Sequence, residues 1–172
     1  MDTAASFTRE CAGYLRNTYV PRLERALAAL PAGDLWWQPH PGAISFGIVL
    51  RHLEGNVRQW IVAGLGGQPD HRQRETEFAG PGPENGAELL ARLRATVEEA
   101  CAVIEALDQE RLEADHSIQG DTTSGLEAVL HVVEHFSWHT GQAVWIAKAR
   151  AGADHGLAFY DNAAINAAEN DS

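Results

Sequence analysis

Four segments of helix length dominate this sequence, and in each of them apolar residues recur every three or four positions. They cover approximately residues 3–30, 45–65, 84–107 and 125–151, and stretches rich in glycine and proline separate them. No segment alternates apolar and polar residues in the way that a half-buried strand does. The chain is therefore predicted to be all-α, folded as a four-helix bundle with long crossover loops.

Capping signals mark the ends of these helices. Ser45 fits the N-cap of the second helix, and Ser124 with Glu127 forms a capping-box pattern at the start of the fourth. Gly152 is expected to end the fourth helix. Pro21 is expected to kink the first helix, because proline lacks a backbone donor and clashes with the preceding turn.

The connections and the tail complete the predicted organisation. Residues 66–83 and 114–123 are interpreted as long polar loops. Residues 1–152 are predicted to form one domain, because all four periodic segments lie within them. The tail, 153–172, is expected either to pack on the bundle through a short helix at 162–168 or to fray.

The charge of the chain excludes several kinds of partner. It has 24 Asp and Glu residues against 13 Lys and Arg, so its formal net charge is -11. Such acidity argues against binding to nucleic acid and to anionic lipid surfaces, both of which select basic faces. The sequence has no run of 18 apolar residues and no signal-peptide pattern at its start, so the expected compartment is the cytoplasm.

Cysteine usage limits the kind of metal or redox site. Cys11 and Cys101 are the two cysteines, and they are far apart in the sequence. Because there is no Cys-x-x-Cys pair, a zinc ribbon and a thioredoxin-like site are excluded. Both residues fall within helical patterns, where a free cysteine acts as a small apolar side chain.

Histidines form a stripe on the fourth predicted helix. His131, His135 and His139 follow one another at four-residue spacing, which places them on one helical face. His52 shares an apolar face of the second helix, so it is expected to point inward and to need a partner for its ring nitrogens. A divalent metal ion shared between the two helices would supply that partner. The alternative is that His52 is a hydrogen-bonded core residue.

The chemistry of three imidazoles narrows the choice of metal. Zinc, nickel, iron and copper all accept such ligands, and zinc or nickel is favoured here, with iron or manganese next. Three protein ligands leave a coordination position open, as in catalytic zinc sites. Glu134 and Gln142 are weaker candidates for side chains that orient the ligands. The remaining histidines are interpreted as surface residues: His40, His71, His116 and His155.

Three blocks of the sequence resemble the DinB/YfiT-like superfamily: LWWQP at 35–39, SFGIVLRHL at 45–53 and HFSWHTGQ at 135–142. Their order and spacing cover most of the chain, and the third block is the most specific. The resemblance implies a four-helix bundle, commonly a homodimer, that binds one divalent metal through one histidine of the second helix and two of the fourth.

Transferred to this chain, the ligands implied by the resemblance are His52, His135 and His139. His131 then occupies a non-ligating position beside the site. The family motif commonly has arginine where this chain has Thr140, so no role of that arginine is carried over.

Characterised members of the superfamily include S-transferases and a maleylpyruvate isomerase that use low-molecular-weight thiols. The resemblance therefore implies a metal-dependent enzyme acting with such a thiol on a small electrophile, and no catalytic residue of the chain is assigned. Two alternatives are a metal-dependent hydrolase, for which no general base is evident beside the ligands, and a non-catalytic metal-binding stress-response bundle. Arg72 and Arg74 either grip an anionic substrate or belong to a solvated loop.

Overall fold

The structure is a computed structural model that describes residues 2–153 and 155–160, so the short helix predicted at 162–168 lies outside the described residues. In chain order its elements are α1 (Thr3–Gly13), a first π-helical turn (Tyr14–Tyr19), α2 (Val20–Ala29), a 3₁₀ turn (Asp34–Trp36), α3 (Phe46–Val57), a second π-helical turn (Arg58–Ala63), α4 (Arg74–Glu77), α5 (Gly86–Glu105), α6 (Gln109–Glu113), β1 (Asp115–Ile118), β2 (Asp121–Ser124) and α7 (Gly125–Ala151). The chain is thus mostly helical, as predicted. Among the residues described, no helix is long and apolar enough to cross a membrane.

The caps predicted from the sequence are present. The Ser45 Oγ accepts a hydrogen bond from the Ile48 amide at 3.2 Å and starts α3. Ser124 and Glu127 form both bonds of the capping box that starts α7. Gly152 follows the end of α7 with a φ of 81°, which an L side chain rarely adopts. The contacts of Ser45 and Ser124 satisfy backbone donors that the first turn of each helix leaves unpaired.

Pro21 is accommodated by a change of helix type. It lies in the first turn of α2, directly after the first π-helical turn. There the Val20 amide donates to the Leu15 carbonyl, five residues back. The wider turn tolerates a residue without an amide donor, so α1 and α2 follow one another along the chain without an intervening loop.

The all-α prediction is wrong at residues 115–124, which overlap the loop predicted at 114–123. Here β1 and β2 pair as an antiparallel hairpin. Gln119 and Gly120 make its turn with φ angles of 58° and 86°, as two-residue hairpin turns require. The strands have four residues each and are mainly polar, so they carry no alternating apolar signal; Ile118 alone is buried. The predicted loop at 66–83 likewise contains the short helix α4.

The core lies between the long helices. α3 packs against both α5 and α7, while α2 packs against α7 and α1 against α5. The largest fully buried side chains include Leu15, Leu23, Phe46, Leu50, Leu53, Ile61 and Phe136. Because α3 and α7 are neighbours, His52 on α3 faces the histidines of α7.

Candidate metal centre

Three histidines from two helices converge at the contact between α3 and α7. One ring nitrogen each of His52, His135 and His139 can be chosen so that all three lie within 4.8 Å of one another. His52 Nε2 is 3.0 Å from His135 Nε2. The ring centroid of His139 lies 4.8 Å from that of His52 and 4.5 Å from that of His135. The structure therefore brings the three predicted ligands together.

The spacing and chemistry of these nitrogens fit a divalent ion. Two nitrogens that each lie about 2.0–2.1 Å from one ion are roughly 2.8–3.4 Å apart at bond angles of about 90–110°. The 3.0 Å separation of His52 Nε2 and His135 Nε2 falls within that range. Among the residues described, this is the one group of three or more His, Cys, Asp or Glu side chains close enough to hold an ion.

The two α7 histidines of this group are uncharged near neutral pH. Burial, with repulsion from the neighbouring imidazoles, lowers the pKa of His135 to about 3. Burial followed by repulsion from His52 lowers the pKa of His139 to about 4, and Gln142 partly opposes this decrease. Neutral imidazoles keep a ring nitrogen lone pair, which is the form that binds a metal.

A buried carboxylate that was not identified from the sequence orients His52. Glu77 Oε2 lies 2.7 Å from His52 Nδ1. Burial alone would raise the pKa of Glu77, but hydrogen bonds from His52 and Arg72 lower it below its ordinary value. An ionised carboxylate only accepts hydrogen bonds, so Nδ1 of His52 must carry the proton. In the neutral form of His52 the lone pair is then on Nε2, which faces His135.

Arg72 holds this carboxylate in place. Its Nε and Nη2 donate to the two oxygens of Glu77 at 2.7 and 2.9 Å. The side chain of Arg72 is only 4% exposed, so it is not a freely solvated loop residue, as one of the two interpretations had it. Arg74, by contrast, is exposed and lies over the ring of Phe78, 5.1 Å from its centroid.

The side chains predicted to surround the ligands fall in three different places. The ring of His131 packs at a tilt against Trp60 with ring centroids 4.0 Å apart, and its centroid is 5.5 Å from that of His135. Gln142 lies beside His139, one turn further along α7. Glu134 is exposed and lines a groove with Trp138 to which none of the three candidate ligands contributes.

A glycine in α3, which was not used in the sequence prediction, is a signal that another segment approaches this helix closely. Gly55 is buried in the helix, one turn after His52. A Cβ at this position would overlap the Glu77 carboxylate and lie 3.1 Å from Arg72 Nε. Glycine costs helix stability, so a buried glycine in a helix often marks a close approach by another segment.

Comparisons with known proteins agree with this fold. A DinB-like protein from Bacillus subtilis superposes with a TM-score of 0.63 and 15% sequence identity, covering 88% of this chain and 97% of its own. A DinB-like protein from Bacillus cereus gives a TM-score of 0.59 and 15% identity, covering 74% of this chain and 83% of its own. No curated protein matches the chain.

The fold is therefore that of the DinB-like proteins, and the resemblance to the DinB/YfiT-like superfamily is confirmed. Residues 2–157 match the family described as a protein of unknown function, DUF1572. The chain belongs to this family.

Proposed function

We propose that this protein binds one divalent metal ion through His52, His135 and His139. The convergence of their ring nitrogens within 4.8 Å is the observation that carries the proposal. The low pKa values of His135 and His139 support it, because both imidazoles are unprotonated near neutral pH. Zinc or nickel is favoured for an all-imidazole set.

We further propose that the metal centre serves an enzyme acting with a low-molecular-weight thiol on a small electrophile. A divalent ion, when bound, supplies Lewis acidity that lowers the pKa of a thiol or of water. The surrounding side chains favour the thiol. Within the described residues, Glu77 is bonded to His52 and Arg72, and Glu134 lines a groove to which none of the proposed ligands contributes. Hydrolysis would therefore lack a free general base to deprotonate the attacking water, whereas a thiol that is already ionised needs no such base.

Elemental analysis tests the metal site. Protein purified without an affinity tag should contain about one divalent ion per chain, and the His52→Ala variant should contain little or none. His71→Ala is the matched control, because His71 is exposed and outside the cluster. Equal metal content in wild type and His52→Ala would contradict the proposed site.

Turnover of monochlorobimane with a panel of low-molecular-weight thiols tests the enzymatic proposal. Metal-loaded wild type should accelerate conjugation with at least one thiol, and His52→Ala should not. Hydrolytic activity without any thiol would favour a hydrolase instead. Stoichiometric metal without turnover under every condition would favour a non-catalytic metal-binding role.

We also propose that the protein is a homodimer. An apolar stripe on α7, formed by Leu126, Leu130, Trp138 and Trp145, is exposed in the single chain; Trp138 and Trp145 are 65% and 58% exposed. Large exposed apolar patches are more often interaction surfaces than surfaces that stay exposed to solvent. The cytoplasmic location remains a prediction from the sequence.

A further inference from the structure

We propose that Glu77, held by Arg72, is a positioning residue that fixes which nitrogen of His52 carries the proton. The inference rests on the proposed function, because its purpose is to leave His52 Nε2 free for the metal. It concerns residues of a loop that contributes no proposed ligand.

The contacts of the Glu77 carboxylate leave it one orientation. Oε2 accepts from His52 Nδ1 at 2.7 Å and from Arg72 Nη2 at 2.9 Å, and Oε1 accepts from Arg72 Nε at 2.7 Å. The three side chains are each at most 8% exposed. A two-point contact of this kind specifies geometry as well as binding strength.

The loop itself is anchored to the second π-helical turn. Arg72 Nη1 donates to Gln59 Oε1 at 2.9 Å, and the Arg72 amide donates to Asp70 Oδ1 at 2.9 Å. Gln59 Nε2 in turn donates to Asp70 Oδ2 at 2.7 Å. Gln59 and Asp70 therefore fix the position of Arg72. The two hydrogen bonds from Arg72 in turn fix the Glu77 carboxylate.

The position of Arg72 indicates how the tautomer of His52 would change if Glu77 were removed. Its Nη2 lies 3.4 Å from His52 Nδ1. A guanidinium only donates hydrogen bonds. With Glu77 removed, Arg72 would therefore favour the form of His52 in which Nδ1 is unprotonated and accepts. The proton of a neutral His52 would then move to Nε2, the atom that faces the proposed ion.

Nuclear magnetic resonance of the metal-free protein tests this directly. Correlation of ring ¹⁵N and ¹H signals at pH 8 distinguishes the two neutral tautomers of His52. Wild type and the control Glu75→Ala should show the Nδ1-protonated form, and Glu77→Ala should show the Nε2-protonated form. Glu75 lies on the same short helix and is exposed. The Nδ1-protonated form persisting in Glu77→Ala would overturn the proposal.

Zinc affinity, measured by competition with a chromophoric chelator, gives the second readout. Glu77→Ala should weaken zinc binding about 10- to 100-fold, the range typical for loss of a side chain that orients a metal ligand. Glu75→Ala should bind zinc as wild type does. Unchanged affinity in Glu77→Ala would overturn the positioning role.

Gly55→Ala keeps the proposal testable if Glu77→Ala fails to fold. Alanine is the better helix former, so a purely local effect would stabilise α3. Because its Cβ would displace the Glu77–Arg72 pair, we expect weaker zinc binding and a change in the His52 tautomer. Gly13→Ala is the control, since a Cβ there meets nothing within 4 Å. Wild-type zinc affinity and tautomer in Gly55→Ala would contradict the proposal.

The two proposals can fail separately. If wild type bound no zinc, the proposed metal centre would be wrong, and the tautomer comparison would still decide the role of Glu77. If wild type bound zinc and Glu77→Ala bound it equally well, the metal centre would stand and the positioning role would fall.

Discussion

His52 and His131 differ in the contacts that each ring makes with side chains other than histidine. His52 is bonded to the carboxylate of Glu77. His131 packs at a tilt against Trp60, and its Nε2 lies 3.4 Å from Asn56 Nδ2. His131 is not one of the side chains whose ring nitrogens lie within 4.8 Å of one another, so it borders the site without completing it.

We expect His131→Gln to retain about one metal ion per chain. Glutamine keeps a polar group near Asn56 and removes only the imidazole ring of His131, so the three proposed ligands stay in place. Thermal stability should fall, since the contact with Trp60 is lost. Elemental analysis of the variant checks the prediction, and loss of the metal to the extent seen in His52→Ala would refute it.

The two thiols are expected to be inert in the folded protein. Burial raises the pKa of Cys11 to about 11 and that of Cys101 to about 12. At pH 8 both groups are therefore protonated and shielded, and the thiolate is the reactive form. A disulfide reagent should label neither quickly in the native state and both after unfolding in urea. Rapid labelling of folded protein would show that this part of the core is open.

At the scale of elements, the long helices follow from local signals in the sequence. The capping box of Ser124 and Glu127, the cap at Ser45 and the stop at Gly152 are each fixed by neighbours within a few residues. The helical spacing of His135 and His139 likewise follows from 3.6 residues per turn. Such features are accessible to prediction because they need no knowledge of distant contacts.

Ser124→Ala tests the contribution of the cap that begins α7. Loss of the Oγ acceptor for the Glu127 amide should lower the free energy of unfolding by about 1 kcal/mol. Metal content should not change, because His135 lies three turns further along the helix. Urea unfolding at equilibrium measures the effect, with Thr122→Ala, an exposed strand residue, as the control. A change no larger than that of the control would contradict this account of the cap.

The elements that the sequence did not predict are short and depend on tertiary contacts. The β1–β2 hairpin has polar strands, and its turn places Gln119, a residue uncommon at positive φ, at 58°. Glu77 lies 25 residues from His52 in a segment without apolar periodicity. Its role arises only when the loop folds back on α3, which no local pattern specifies.

For the whole molecule, the apolar stripe on α7 is the feature that a single chain leaves unexplained. If it is a dimer interface, a charge at its most exposed residue should separate the subunits. We expect Trp138→Lys to be monomeric by analytical ultracentrifugation at concentrations where wild type is dimeric. Gln68→Lys, on an exposed loop, should match wild type. A monomeric wild type, or a dimeric Trp138→Lys, would contradict the proposed interface.

The location of the metal tests the account most directly. We predict that crystals of protein loaded with zinc or nickel will show one anomalous-difference peak between the ring nitrogens of His52, His135 and His139. A metal-loaded crystal with no peak there, or with its strongest peak at other side chains, would contradict the account.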